Sequence, residues 1–469
     1  MLSLPLAMRL VTILVVSMLL MTGCAYSPST ALSNTKTAVF TEQHQALPEN
    51  TLSTHWWRVF NVAQLEPLMA DLERENLNLS QAKMRITRAQ ALLVQAKAGD
   101  MPTLTSRVTG RSGRDFTTGT SSHATSGSVG LSYDADIWGT RAAQQRSRQL
   151  GVDAAQYQYT DALLDIQALF ISTLLEHISL RARLDIAVQN VQTSDALLKL
   201  VQIRFEEGDT SGIEVSQQRN TLISAESEVL KLRNSLTLNE RALAALLGKD
   251  ESLVQSPLFT PVLSLSLSDF TIPDLAPQLT ADVLHHRPDI QLAIAQFKQA
   301  DLAFYEASVA GLPGMSLSAD VGVSDLLELA KGWTLGAAIS SAATLFDGGR
   351  LAAAEQAAKT DVDIAIVQYR QTVIEATQTL LNSHTNLLYQ RQNYAYTLAS
   401  QENNEQLYRL ASVRYKAGDT DFLNLLNAQR SYFSARQAVI NGYQSVLEAV
   451  VSAYRESAGV SIEQEGRSV

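Results

Sequence analysis

The sequence is poor in the residues that proteins use for covalent staples and for chemistry. One cysteine occurs in 469 residues, which excludes a disulfide framework within the chain and any cysteine-built zinc or iron–sulfur centre. Positive charge is not in excess: 37 Lys and Arg face 47 Asp and Glu, a formal net charge of −10. That balance argues against nucleic acid as a partner, because phosphate binding calls for a concentrated basic surface. The seven histidines (His44, His55, His123, His177, His285, His286 and His384) are scattered. No phosphate loop, His/Glu metal helix or Gly-x-Ser-x-Gly turn accompanies them, so the chain reads as a non-enzyme with no metal site and no cofactor. The adjacent pair His285-His286 directly precedes Arg287-Pro288, near a helix, where surface or packing roles account for it. Aromatic residues make up only 6% and prolines number 11. A chain of this length would ordinarily form about three domains, but such a composition suits long Ala/Leu/Gln-rich helices better than several globular cores.

The single cysteine, Cys24, ends a segment that reads as an export signal. Arg9 is the only charged residue among the first 23, and Leu10 to Met21 is an unbroken run of apolar or small residues. This run is too short for the roughly 20 residues of a spanning helix, so a cleaved signal is the better reading, with Met1 and Met8 both open as the start. The alternative is an ordinary secreted protein with a chance cysteine. Leu20-Met21-Thr22-Gly23-Cys24 resembles a bacterial lipobox, although Met21 stands where Leu is usual. That resemblance implies cleavage before Cys24, lipid on its thiol and an acylated new N-terminus. Ala25 rather than Asp at the next position resembles the outer-membrane destination. Loss of residues 1–23 takes away one positive charge and leaves the mature chain more acidic still.

The mature chain is a tandem duplication with an offset of about 210 residues. Arg204-Phe205-Glu206-Glu207-Gly208-Asp209-Thr210 aligns with Arg414-Tyr415-Lys416-Ala417-Gly418-Asp419-Thr420. Ala98-Gly99-Asp100-Met101-Pro102 aligns with Ala310-Gly311-Leu312-Pro313-Gly314, and Trp138-Gly139-Thr140-Arg141 with Gly348-Gly349-Arg350. A period this long is no solenoid unit, so each half is a complete subdomain. The expected organisation is a signal peptide over residues 1–23, a lipidated N-terminal tether over 24–58, a first repeat over 59–249, a linker over 250–277, a second repeat over 278–458 and a C-terminal tail over 459–469.

Each repeat reads as helix, two strands, a very long helix, a glycine turn and another helix. The first helices are expected over about Gln64 to Ala98 and Thr280 to Ala310, stopped by Gly and Pro. Strict period-two alternation follows. Val129, Leu131, Tyr133, Ala135 and Ile137 face away from Gly130, Ser132, Asp134 and Asp136. Met315 to Val323 and Trp333 to Ser340 repeat the pattern, with a less regular partner over Thr103 to Arg111. Strands of about nine to eleven residues with one apolar and one small polar face have the length and pattern of tilted membrane strands. Four strands cannot close a barrel around a channel, and an open edge in lipid leaves backbone groups unsatisfied. Oligomerisation follows, and three copies supply twelve strands. The long helices, Arg141 to about Glu206 and Leu351 to about Lys416, would each reach about 98 Å at 1.5 Å per residue, with coiled-coil-like spacing at Leu198, Val201 and Phe205 and at Leu407, Leu410 and Ala411.

Further motifs complete the pattern: Trp56-Trp57 with Phe60 and Leu65, Asn76-Leu77-Asn78-Leu79, Tyr133-Asp134-Ala135-Asp136-Ile137-Trp138-Gly139, Arg287-Pro288-Asp289-Ile290, and Leu345-Phe346-Asp347-Gly348-Gly349-Arg350. Together they resemble the TolC-like outer-membrane factor family, in its lipoprotein branch of efflux exit ducts. One motif departs, with Ala293-Ile294 where the family has Ala-Glu. The resemblance implies a mainly α fold with membrane β: a homotrimer whose twelve strands, four per chain, form one outer-membrane β-barrel continued by a long periplasmic α-helical barrel. A periplasmic adaptor protein, an inner-membrane transporter and outer-membrane lipids are the implied partners.

On that mapping Gly208 and Gly418 mark the periplasmic tips, with adaptor docking beside them. Asp209-Thr210 and Asp419-Thr420 are expected to cap the following helices. The aperture positions are Asn424 and Asn427, where better-known members carry two acidic residues, together with Glu214, the first-repeat equivalent of Asn424, and Tyr415, which is either a gate hydrogen-bond donor or a packing aromatic. Amides in place of carboxylates remove charge from a narrow ring and keep hydrogen-bonding groups. Alternative readings are the exit duct of a type I protein secretion system and, in a different class, a periplasmic adaptor or scaffolding lipoprotein, which would need no duplicated membrane-length strands. Because barrel strands would hold a trimer in the membrane unaided, Cys24→Ser is expected to impair sorting or assembly more than conduction. Membrane fractionation alongside conductance checks this, and an equally assembled, fully active variant would reduce the lipid to an accessory.

Overall fold

A computed structural model describes residues 55–250, 265–273, 281–324 and 332–458. The signal peptide, Cys24, most of the tether, much of the 250–277 linker and the 459–469 tail lie outside the described residues. A short 3-10 turn, Trp56–Phe60, is followed by α1 (Leu65–Glu75), α2 (Leu77–Ala98), β1 (Thr103–Arg114), β2 (Ser121–Ala135), α3 (Thr140–Glu206) and α4 (Gly212–Leu246). The second repeat runs α5 (Ala281–His286), α6 (Pro288–Val309), β3 (Gly314–Ser324), β4 (Trp333–Ala342), α7 (Arg350–Ala417) and α8 (Phe422–Glu456). The chain divides into two units. One holds Ile86–Ala154 and Ala293–Tyr369, and the other holds Ala155–Leu292 and Arg370–Val469 together with the segment ending at Arg85.

The first unit carries the sheet, whose order is β1-β2-β3-β4 with every neighbour antiparallel. The register holds one parity on one face across all four strands. Leu104 lies opposite Leu131, Leu131 opposite Ala319, and Ala319 opposite Ala337. The adjacent row joins Val129, Val321 and Leu335. A slip of one residue in any strand would turn its apolar set to the other side. The strands have 12, 15, 11 and 10 residues, so β2 is longer than the sequence indicated. It stops at Ala135, short of the expected Ile137, because Asp136 is taken up by the next helix: its carboxylate accepts from Thr140 Oγ1 and from the backbone N–H of Arg141 and Ala142, each at 3.1 Å. Asp347 does the same for α7, accepting from Leu351 N at 2.9 Å. These carboxylates satisfy first-turn donors at the positive end of each long helix. Below the sheet, Tyr305 donates to the Trp138 carbonyl at 2.6 Å and Gln299 to the Ser147 carbonyl at 3.0 Å.

The second unit contains the largest core. Trp56, Trp57 and Phe60 pack with Leu65, Phe170, Leu174, Phe270, Leu447 and Tyr454. The expected tether boundary at 58 therefore falls inside packed structure: two indoles this apolar are buried with the core rather than left in a linker. Trp56 Nε1 donates to buried Gln167 at 3.0 Å and its ring stacks on Tyr454 with centroids 6.0 Å apart. Part of the linker packs too, with Phe270 in this core.

Two helices expected to be continuous are broken. Asn76 adopts extended backbone between α1 and α2. Its side chain accepts from Leu79 N at 3.0 Å and donates to the Leu246 carbonyl at 2.7 Å, so the break is capped and tied to α4. Pro288 opens α6, and the preceding Arg287 is pushed out of helical geometry as residues before proline usually are. Arg287 is buried, and its guanidinium meets Asp289 and Glu456 at 2.9 Å each. The Arg-Pro-Asp motif thus joins the start of the second repeat to the end of α8.

His177 on α3 is fully buried. Burial, reinforced by the nearby Arg181 charge and opposed by a hydrogen bond with Asn239, lowers its pKa to about 4. The folded state therefore prefers the neutral ring, while the unfolded chain takes up a proton near pH 6.5. This contribution is complete above pH 6.5 and is lost as pH falls towards 4, at no more than about 1.4 kcal/mol per pH unit. His177→Gln is expected to flatten the fall in thermal midpoint between pH 6.5 and 4, and an unchanged slope would remove His177 as its source.

Candidate functional site

Apart from Cys24, which lies outside the described residues, the predicted site residues lie where α3 turns into α4 and where α7 turns into α8. Both turns have the same backbone solution. The Gly208 N–H donates to the Phe205 carbonyl at 3.1 Å and the Asp209 N–H to the Arg204 carbonyl at 2.8 Å; Gly418 and Asp419 repeat this with Tyr415 and Arg414 at 3.1 and 2.9 Å. This is a Schellman ending, which places its pivot in the left-handed region. The pivot φ is +84° at Gly208 and +83° at Gly418, so glycine is required for the backbone alone.

That geometry corrects the expected caps. Asp209 and Asp419 are committed to closing the preceding helices, so neither they nor Thr210 and Thr420 can stand at the N-cap. The N-cap residues are Ser211 and Asp421. Ser211 makes no side-chain cap bond, whereas Asp421 accepts from Asn424 N at 2.9 Å.

The two turns are nevertheless inequivalent. Phe205 is half exposed, at 49%, while Tyr415 at the matching position is 3% exposed. Tyr415 packs with Val201, Phe422, Leu425 and Leu426. The Arg204 guanidinium lies 4.9 Å from its ring centroid and donates to its carbonyl at 3.0 Å. The Tyr415 hydroxyl reaches Glu214 Oε2 at 3.4 Å. Burial and then the Glu214 carboxylate raise the tyrosine pKa, against the opposing pull of Arg204, so the hydroxyl stays protonated and is the donor. Arg204 and Glu214 come from the first repeat and Tyr415 from the second, which makes this cluster a clasp between the repeats.

Of the predicted residues, the fold brings Glu214 and Tyr415 together. Asn424 and Asn427 lie on the exposed face of α8, and the Asn424 amide donates to Thr420 Oγ1 at 3.3 Å. Sequence reasoning missed Arg204 and Asp421. The hydroxyl by which Tyr415 differs from the aligned Phe205 points to Glu214, whereas Arg204, which meets the ring and the carbonyl, left no local signal. The clasp predicts an order of effects. Arg204→Ala removes a hydrogen bond and a ring contact, together worth roughly 1–2 kcal/mol, whereas Tyr415→Phe removes only a long contact. Amide exchange at the Gly418 turn should rise more in Arg204→Ala than in Tyr415→Phe, and equal effects would refute the assignment.

A second functional surface is the sheet. Among the described residues nothing covers the apolar side chains Leu104, Val108, Trp333, Leu335 and Ile339, which are 66–82% exposed. A large exposed apolar patch marks a surface that another phase or chain must cover.

Comparison with known proteins agrees with this architecture. The chain is 27% identical to the pyoverdine export outer membrane protein OpmQ of Pseudomonas putida over 433 residues, covering 88% of this chain and 89% of that one. It is 29% identical to the toluene efflux pump outer membrane protein TtgC, also of Pseudomonas putida, over 290 residues, covering 60% and 57%. Its fold matches the crystal structure of the outer membrane protein VceC of Vibrio cholerae with a TM-score of 0.77 at 22% identity, covering 88% of this chain and 100% of that one. Residues 68–249 and 279–455, one stretch in each repeat, match the model of the outer membrane efflux protein family. With most of its length matched in two blocks, the chain belongs to the outer membrane efflux protein family.

Proposed function

We propose that the chain is the outer-membrane exit duct of a tripartite efflux system, passively conducting small compounds delivered by an inner-membrane transporter through a periplasmic adaptor. The observation that carries this reading is the sheet: four strands of membrane-crossing length, apolar rows that share one face across β1 to β4 at the helix end, and, among the described residues, two free edges at β1 and β4. In hydrocarbon each unsatisfied backbone group costs several kcal/mol, so the edges must pair with other copies. Three chains give a closed barrel of twelve strands, with apolar faces to lipid and polar faces to the lumen. The OpmQ and TtgC relatives are named for export of pyoverdine and efflux of toluene, which supports small solutes rather than polypeptides as cargo. Lipid on Cys24 anchors each chain, and the Gly208 and Gly418 turns present the adaptor-docking surface.

In this duct the exposed amides Asn424 and Asn427 line the periplasmic aperture. The purified protein should have the mass of a trimer and conduct ions in planar bilayers, and a deletion strain should become sensitive to toxic compounds. Loss of polypeptide secretion with unchanged sensitivity would favour a secretion duct. A monomer without conductance would favour a scaffolding lipoprotein. Without a carboxylate ring, divalent cations should block the wild type weakly, and Asn424→Asp/Asn427→Asp should be blocked more strongly. The aperture assignment is refuted if the wild type is already the more strongly blocked.

A further inference from the structure

The polar face of the sheet is almost bare of bulk. On β1 it carries Thr105, Arg107, Thr109 and Arg111, opposite Gly130, Ser128, Ser126 and Ala124 of β2. The Arg107 row continues through Gly322 and Thr334, without a carboxylate. Above this floor of glycine, serine and threonine, the long side chains of Arg107 and Arg111 are the largest groups. Two acids share the face. Asp134 lies at the helix end of β2 and pairs with Arg141 at 3.1 Å. Asp320 folds over Gly336, where an added Cβ would lie 2.7 Å from its Oδ1. Asp320 sits two strands and one row from Arg107, about 12 Å by strand spacing and rise. At that distance it makes no ion pair with Arg107, and each chain sets two guanidinium groups against this one carboxylate. Among the described residues no ion pair engages Arg107 or Arg111.

We infer that Arg107 in the barrel lumen and Arg111 at its outer mouth form a cationic collar that makes this duct favour anionic over cationic solutes, with small compounds bearing carboxylate or similar oxyanion groups as its preferred class. The inference rests on the exit-duct reading above, in which the polar face lines the lumen. β1 runs from the helix end at Thr103 to the hairpin end at Arg114; Arg107 lies on a row that crosses all four strands, whereas Arg111, opposite Ala124, lies just past the last β2–β3 pair, Ser126 and Ser324, and so stands at the outer mouth on the β1–β2 hairpin. Three chains place six guanidinium groups against three Asp320 carboxylates. Arginine stays charged at all working pH values, is weakly hydrated, and offers a planar fork that matches oxyanions. Rings of Arg or Lys favour anions in pores as Asp or Glu rings favour cations.

The test is the reversal potential of the full-length protein in planar bilayers under a KCl gradient. A collar potential of about one kT multiplies the anion-to-cation partition ratio roughly sevenfold. The wild type should prefer anions. Arg107→Gln/Arg111→Gln should lose several-fold of that preference, Arg107→Lys/Arg111→Lys should keep it, and Asp320→Asn should raise it. A cation-preferring wild type, or a ratio unmoved in the Gln double variant, overturns the collar. If the Gln variant does not assemble, an unmoved or falling ratio in Asp320→Asn overturns it instead. A folded, inserted wild type with no conductance at all overturns the exit-duct reading itself, so the two failures are distinguishable.

Discussion

The structure depends on the two edges of a four-stranded sheet that are unpaired among the described residues. Each edge presents a row of backbone donors and acceptors, and the same sheet presents an apolar face that water does not favour. In water the edges could be hydrated, but the apolar face could not be left bare at low cost. In lipid the face is stable but the edges are not. In the exit duct proposed above, closure with other copies satisfies both conditions. The rest of the chain follows from the closure. The strands must enter and leave through helices whose first turns are satisfied, hence Asp136 and Asp347 at corresponding places.

Duplication gives the chain two similar halves, but packing does not treat them alike. The glycine turns after α3 and α7 share the same hydrogen bonds and the same left-handed pivot. Around them the halves diverge: Tyr415 is enclosed, Phe205 is not, and Arg204 and Glu214 from the first repeat converge on the tyrosine. A clasp of one hydrogen bond, one ring contact and one long hydroxyl contact is modest beside a hydrophobic core. Such a junction can be released without unfolding the helices it joins. The polar face of the sheet shows a similar economy, with two arginines per chain supplying charge over a floor of small residues.

Much of this was legible from local pattern. Alternation located β3, β4 and the second half of β2 because a strand's side-chain period is two and one face is apolar, and it located β1 less regularly. The spacing of Arg204 to Thr210 against Arg414 to Thr420 located both turns, since only glycine tolerates the pivot there. Less legible were the interruptions of the first helices. Asn76 reads equally as a surface helix residue or as a cap, and the choice is made by the Leu246 carbonyl 170 positions away. Arg287 likewise looks exposed until Glu456 meets it. The expected caps at Asp209 and Asp419 failed for a related reason: a residue next to a glycine pivot can serve the helix behind it or the helix ahead, and backbone geometry decides which.

The amino-acid sequence by itself determined the period of each element, the duplication, the glycine pivots, the apolar and polar sides of every strand and the position of Cys24, because all of these are carried by neighbouring residues. Tertiary structure alone decided that the four apolar sides share one face, that Trp56 and Trp57 belong to the core and that Arg204, Glu214 and Tyr415 meet. It also placed Arg107 and Arg111 over an almost bare floor. Each of these depends on register or packing between residues far apart in the chain. Periodicity states which side of an element is apolar, but only the pairing of distant elements states what that side will touch.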